Sequence, residues 1–243
     1  MKLGKVTNTG KGGEKRWYDD ACGTALALEF VGERWSLLVI RELMFGPRRF
    51  GELKANLPGI SANVLTQRLE ALVAAGIAER RRLPSPANVQ VYDLTAWGRE
   101  SEPILQTMGR WATRSPRHDP TLFLSPASAR MSLRTMVPRE RGERGGRGGE
   151  AMTIAFRFPG DAFVARLTPG DLVIARDGGE GGETVGFACD VPTLAAIVYR
   201  KWPLAEAEAA GALVLTGDRA AAQRFVDLFA LPEKIGQGDD GSG

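Results

Sequence analysis

Residues 46–69 constrain this chain more than any other stretch. The run Gly46-Pro47-Arg48-Arg49-Phe50-Gly51-Glu52-Leu53 is followed by Pro58-Gly59, then by Ile60-Ser61-Ala62-Asn63-Val64-Leu65-Thr66-Gln67-Arg68-Leu69. A Pro-Gly pair punctuates helical patterns, so the stretch reads as two short helices joined by a tight turn. Ser61 is a capping type whose hydroxyl can accept from an orphan backbone N–H, and Gly76 stands where the second helix must stop. Leu65, Leu69, Leu72 and Val73 recur at helical spacing and are expected to face a core. That leaves Asn63, Thr66, Gln67 and Glu70 on the opposite flank. Asn and Gln bond adenine edges and Thr meets a thymine methyl, so Asn63, Thr66 and Gln67 are the types that read bases in a major groove, although any solvated helix can show them.

The next segment strengthens that reading. Residues 77–83 have the composition of a strand, Pro84-Ser85-Pro86-Ala87-Asn88 that of a turn, and residues 89–94 that of a returning strand. Such a basic hairpin resembles a wing. Arg80, Arg81 and Arg82 alternate sides along a strand, so only part of the trio can meet phosphates together, the plain alternative being a solvated charged strand.

These residues carry a resemblance. Cys22, Gly32-x-Arg34-Trp35-x-Leu37-Leu38, Arg41-Glu42-Leu43, Gly46-Pro47-Arg48-Arg49-Phe50, Pro58-Gly59-Ile60-Ser61, Leu65-Thr66-x-Arg68-Leu69, Gly76-Ile77, Tyr92-x-Leu94-Thr95 and Gly98 resemble the HxlR-type winged helix-turn-helix regulators, relatives of the MarR group. The likeness covers about residues 21–114; Gln90 stands where the family pattern has an apolar strand residue, and Trp97 replaces a smaller aliphatic. It implies a dimeric bacterial transcription regulator that binds double-stranded DNA. The interface expected from it comprises Arg48, Arg49 and the wing residues Arg80, Arg81 and Arg82 on phosphates, with Ser61, Asn63, Thr66, Gln67 and Arg68 on the reading helix. Gln67→Ala should lose discrimination among sequences, and Arg81→Ala should weaken all duplexes alike. Some members of the family sense oxidants through a cysteine near the first helix, which makes Cys22 a redox candidate with basic groups close in sequence; a cysteine that merely packs is the alternative.

Pairing of two chains follows from apolar surface. Residues 24–31, including Leu26 and Phe30, are strongly apolar, and Trp97, Ile104, Leu105, Met108, Trp111 and Ala112 follow a helical period. Pro103 should kink that segment or begin a fresh helix. Part of this surface, with Leu26, Phe30, Leu105, Met108 and Trp111 foremost, is expected to form a homodimer, whose two-fold axis would set the reading helices about 34 Å apart over a near-palindromic site.

Charge and residue counts narrow the class. Residues 1–116 hold 17 Lys and Arg against 12 Asp and Glu, and residues 117–243 hold 15 against 17, so the basic excess lies on the first half. Two cysteines and one histidine are too few for a structural zinc framework, and His118 sits among prolines without a nucleophile partner. Gly142–Gly149 and Gly178–Gly182 lack the lysine and context of a phosphate cradle. No cofactor, metal or catalytic set is expected, and the chain is not read as an enzyme. The first 20 residues lack the apolar core of a signal peptide and no run reaches membrane-spanning length, which leads to an expected cytoplasmic location without membrane partners.

The chain is therefore expected to be α+β: a flexible basic tail over 1–20, a winged helix-turn-helix domain over 21–116, a linker over 117–129, a second α+β domain over 130–235 and a flexible tail over 236–243. In the second domain residues 131–137 alternate like a strand, 138–150 form a mobile Arg/Gly/Glu loop, and 153–158, 162–167, 171–176 and 183–189 are strands of a curved antiparallel sheet. Helices are expected over 191–201, 205–210 and 219–229, with a strand over 212–216. Asp171-Leu172-x-Ile174, Thr193-Leu194-x-x-Ile197-Val198, Ala207-x-Ala209-x-Gly211-x-Leu213-x-Leu215-x-Gly217-Asp218, Phe225 and Phe229 resemble a sterol-carrier-protein-2-like (SCP2-like) domain. That likeness implies an apolar-ligand cavity, for which Phe156, Phe163, Phe187, Ile197, Trp202 and Phe225 are the first lining residues to test, ordinary core being the alternative. A competing function is an apolar-ligand carrier or accessory protein whose helical half only mediates protein contacts.

Overall fold

The computed structural model describes residues 18–138, 151–168, 171–176 and 182–236. The expected tail over 1–20 falls almost wholly outside this set, and so do the loop over 138–150, the turn before 182 and the tail over 236–243.

Helices α1 (Gly23–Val31), α2 (Ser36–Leu43), α3 (Phe50–Asn56) and α4 (Ala62–Ala74) precede a hairpin of β1 (Ala78–Arg82) and β2 (Gln90–Leu94), followed by α5 (Ala96–Arg99) and α6 (Glu102–Thr113). The local signals explain these bounds. Ser61 Oγ accepts the Val64 N–H at 3.2 Å to start α4, and Gly76, at φ +71°, ends it in a left-handed conformation that glycine takes without strain. Thr95 Oγ1 accepts the Gly98 N–H to cap α5. Pro103 does begin a fresh helix, at the first turn of α6, where its missing N–H removes nothing. Leu65, Leu69 and Leu72 are buried with Val39, Ile40, Leu43, Leu53 and Leu57 in one core, and each such side chain contributes about 1.5–3 kcal/mol by leaving water. Val73, expected in that core, instead lies exposed at its margin, because the apolar face of α4 is narrower than its aliphatic content. Gly98 is a close-approach site: a Cβ there would lie 2.0 Å from the Ile77 carbonyl oxygen, so α5 seats on the wing base only without a side chain.

The second half is built on α7 (Pro126–Met136), β3 (Met152–Phe158), β4 (Asp161–Thr168), β5 (Asp171–Arg176), β6 (Val185–Cys189), α8 (Val191–Arg200), α9 (Leu204–Ala209), β7 (Leu213–Gly217) and α10 (Arg219–Asp227). Two expectations are corrected here. Residues 131–137 are not a strand: they lie mostly in α7, capped by Ser125 Oγ on the Ser128 N–H at 3.0 Å, with Pro126 in its first turn. Met131, Leu133, Thr135 and Met136 are buried while Ser132 and Arg134 are half-buried, and that alternation of apolar and polar residues is what imitates a strand. The sheet, in order β5-β4-β3-β6-β7, is mixed rather than antiparallel, because β3 and β6 pair in parallel.

Helix α7 joins the halves. Met131 packs in the first core, while Ala129, Leu133 and Met136 pack in the second. Glu102 pairs with Arg134 at 3.0 Å between α6 and α7, and Lys234 Nζ donates to the Thr113 and Ser115 carbonyls at 2.9 and 3.0 Å, satisfying acceptors at the α6 end.

Candidate nucleic-acid interface

The helix-turn-helix face consists of α3, the turn at Gly59 and α4. Burial of Leu65, Leu69 and Leu72 turns the other flank of α4 outward, so Ser61, Asn63, Thr66 and Gln67 are exposed. Arg49 is also exposed, at the start of α3, where its N–H donates to Glu52 Oε2 at 2.6 Å. The wing is attached to this unit by backbone pairing: the Arg48 N–H donates to the Tyr92 carbonyl at 2.9 Å and the Tyr92 N–H donates back at 2.8 Å.

Within the wing the arginines divide by side. Arg80 and Arg82 share one face of β1 and are exposed, Arg80 donating to Gln90 Oε1 at 2.5 Å and Arg82 to Asn88 Oδ1 at 2.7 Å. Gln90, the polar departure from the family pattern, thus props one outward arginine. Arg81 faces the other way. Its Nη2 meets Asp93 Oδ2 at 2.6 Å, and Arg99 holds the second oxygen of the same carboxylate at 2.6 Å.

Three of the expected arginines have protein partners in this fold. Arg81 pairs with buried Asp93. Arg68 lies mostly buried along its stem and pairs with Glu33 at 3.3 Å, bracing α4 against the loop before α2. Arg48, expected on phosphates, is buried and pairs with Asp161 of the second half at 3.2 Å. Asp93, Arg99 and Asp161 were missed from sequence: each carboxylate finds its arginine across the tertiary fold, and only the density of arginines hinted that acids would be recruited.

An apolar face lies on α1, α5 and α6. Leu26, Trp97, Ile104, Met108 and Trp111 are exposed there, Trp111 to 75%, while Phe30 and Leu105 are half-buried. Phe30 meets Trp97 edge-on at 5.6 Å, beside a half-open cleft of about 220 Å³ lined also by Leu37, Ile40 and Ile77.

The two cysteines differ sharply. Cys22 is exposed at the N-cap of α1, where the Thr24 backbone N–H, the Thr24 hydroxyl and the Ala25 N–H hold its thiol below the usual range. Cys189 is buried, and desolvation pushes it up to about 12. Among the described residues no group of three or more His, Cys, Asp or Glu is placed to hold a metal ion, and no helix is long and apolar enough to cross a membrane.

The expected ligand-lining residues of the second half lie together in its buried cluster. Phe156 stacks on Phe163 at 4.6 Å and on Phe187 at 5.4 Å, and Phe225 packs against Phe156 at 5.7 Å. These four and Ile197 are fully buried, with Trp202 half-buried against them, so these side chains pack on one another.

Comparison with known proteins gives the following. The family model for HxlR-like helix-turn-helix proteins matches residues 30–119. An uncharacterized HTH-type transcriptional regulator of Mycobacterium bovis is 44% identical over 85 residues, which make up 35% of this chain and 53% of that protein. YvaP of Bacillus subtilis, also an uncharacterized HTH-type transcriptional regulator, is 36% identical over 88 residues, 36% of this chain and 81% of YvaP. The HTH-type transcriptional regulator YodB of Bacillus subtilis is 38% identical over 86 residues, 35% of this chain and 77% of YodB. The chain thus spans about half the length of the mycobacterial relative, and these matches lie within its first half. Among solved structures, the reduced form of YodB aligns at 35% identity with a TM-score of 0.36, covering 40% of this chain and 98% of YodB.

Proposed function

Because the chain belongs, through residues 30–119, to the HxlR-like helix-turn-helix family, whose matched relatives are HTH-type transcriptional regulators, we propose that it is a sequence-specific DNA-binding regulator acting as a homodimer. One observation carries this reading: α4 presents Asn63, Thr66 and Gln67 outward while Leu65, Leu69 and Leu72 lock its other flank in the core. In this reading Asn63, Thr66 and Gln67 read base edges, and Arg49, Arg80 and Arg82 hold phosphates. The apolar face of α1 and α6 pairs two chains, setting the reading helices about 34 Å apart on a near-palindromic operator, with repression as the mode of action in a cytoplasmic setting.

The test is duplex binding across a salt series. Gln67→Ala should lose about 1–3 kcal/mol of discrimination between a selected duplex and a random one. Arg80→Ala with Arg82→Ala should weaken both duplexes alike and reduce the salt slope by about 0.9 for each phosphate no longer neutralised. A protein that leaves duplex DNA unshifted at low ionic strength is no such regulator.

Thiol chemistry adds regulation to the proposal. Oxidation of the Cys22 thiolate by peroxide to a sulfenate, with release of water, introduces a polar group at the start of α1 and weakens operator binding. Iodoacetamide should label Cys22 in the folded protein at a pH below that needed for an ordinary thiol, because the depressed pKa keeps thiolate present as pH falls. Cys189 should label only after unfolding. Cys22→Ser should leave DNA affinity insensitive to peroxide, and undiminished sensitivity in that variant would remove the redox element.

A further inference from the structure

The segment between α2 and α3 is held from outside the winged domain. Asp161, at the start of β4, pairs with two buried arginines: it forms an ion pair with Arg130 of α7 at 2.6 Å and accepts a hydrogen bond from Arg48 at 3.2 Å. Arg130 is fully buried, its guanidinium lying 4.7 Å over the Phe163 ring and 5.7 Å over the Phe45 ring, so Asp161 itself has little room to move. A second tie lies one helical turn earlier: Ser125, the cap of α7, donates its hydroxyl to fully buried Glu42 of α2 at 2.6 Å. Both ties come from the second half, and they bracket residues 42–48.

Arg48 is the residue through which this matters. Its side chain ends on Asp161, its backbone exchanges both hydrogen bonds with Tyr92 of the wing, and the next residue, Arg49, is the N-cap of α3. One residue therefore sets the wing base and the entry to the helix-turn-helix together, and the position of that residue is determined by a carboxylate 113 residues further along the chain. Base readout tolerates little displacement, since bidentate contacts are directional.

We propose that Asp161 is a positioning residue for the DNA-reading head, acting through Arg48 from the second half of the chain. The inference rests on the DNA-binding reading above. It gives the second half a function that needs no bound ligand: it makes the spacing between wing and reading helix depend on contacts outside the winged domain.

The experiment uses the full chain and two duplexes, one selected by the wild-type protein from a random-sequence pool and one random. Arg48→Gln and Asp161→Asn should lower the ratio of selected to random affinity by about tenfold, the discrimination of one good base contact. The salt slope on the random duplex should stay at the wild-type value, because neither residue touches a phosphate. Asp161→Glu, which keeps the carboxylate, should retain most of the ratio, and so should Phe229→Leu, a core variant that lowers stability without touching the tie. If Asp161→Asn fails to fold, Arg48→Gln decides, because it leaves the Arg130 pair intact. A wild-type ratio in a folded Arg48→Gln protein overturns the proposal, as does a slope reduced by about one, which would put Arg48 on a phosphate. An equal loss of ratio in Phe229→Leu overturns it as well. Failure of the wild-type chain to retain any duplex is distinguishable from all of these and sinks the underlying DNA-binding reading.

Discussion

Arg130→Ala is expected to remove about 3–5 kcal/mol of unfolding free energy, read as a lowered urea midpoint. The size follows from what the substitution leaves behind. Arg130 is fully buried and makes the shorter of the two contacts to Asp161, so its loss leaves a carboxylate at 14% exposure that relies on the 3.2 Å contact to Arg48. Removal of the guanidinium also empties the space over Phe163 and Phe45, adding a cavity term to the charge term. Combining Arg130→Ala with Asp161→Ala should cost less than the two single effects together, with a coupling of about 1–3 kcal/mol, because the double variant removes both members of the pair, so that neither is left facing the other's vacancy, although Arg48 then loses its contact to Asp161. The Arg219–Glu208 pair between α9 and α10 supplies the contrast: Arg219 is 57% exposed, and Glu208→Gln should change stability by no more than about 1 kcal/mol. A cost for Arg130→Ala as small as that would show that Asp161 is solvated in solution and that the tie between the halves is weak.

Phe156→Ala is expected to cost about 3–5 kcal/mol, measured by the same denaturation. Phe156 lies on β3, the central strand of the sheet, and its ring touches Phe163, Phe187 and Phe225 at centroid distances of 4.6, 5.4 and 5.7 Å. Neighbours on three elements cannot all collapse inward, so most of the ring's volume should remain as a void. Phe156→Leu should recover more than half of the loss by refilling it. If Phe156→Ala were nearly neutral, the four rings would be loosely packed in solution, and the apolar-ligand reading of this domain would regain its footing.

Much of the fold is legible in the chain because its cues are local. The Ser61 hydroxyl and Gly76 bound α4 within one turn at each end, and Pro103 starts α6, since capping and φ restriction act through neighbouring residues. The outward flank of Asn63, Thr66 and Gln67 follows from the spacing of Leu65, Leu69 and Leu72, which needs only the helical period. Residues 131–137 defeated the same logic: in α7 Ser128, Arg130, Ser132 and Arg134 fall on alternate positions, so the sequence imitates a strand's period while several of these polar side chains are drawn into tertiary contacts. The parallel pairing of β3 with β6 was equally invisible, because strand direction is decided by where the chain returns rather than by the composition of either strand.

For this protein the amino-acid order by itself determined the helix-turn-helix, its outward amide-bearing flank, the wing and most strands of the second half. Each of these depends on interactions between residues a few positions apart. The destinations of Arg48, Arg68 and Arg81 were decided only by the tertiary structure, which delivers Asp161, Glu33 and Asp93 to them. An arginine's charge is legible at its own position, but whether it faces a phosphate or a buried carboxylate depends on which acid the packing brings within about 4 Å and on whether water is excluded there.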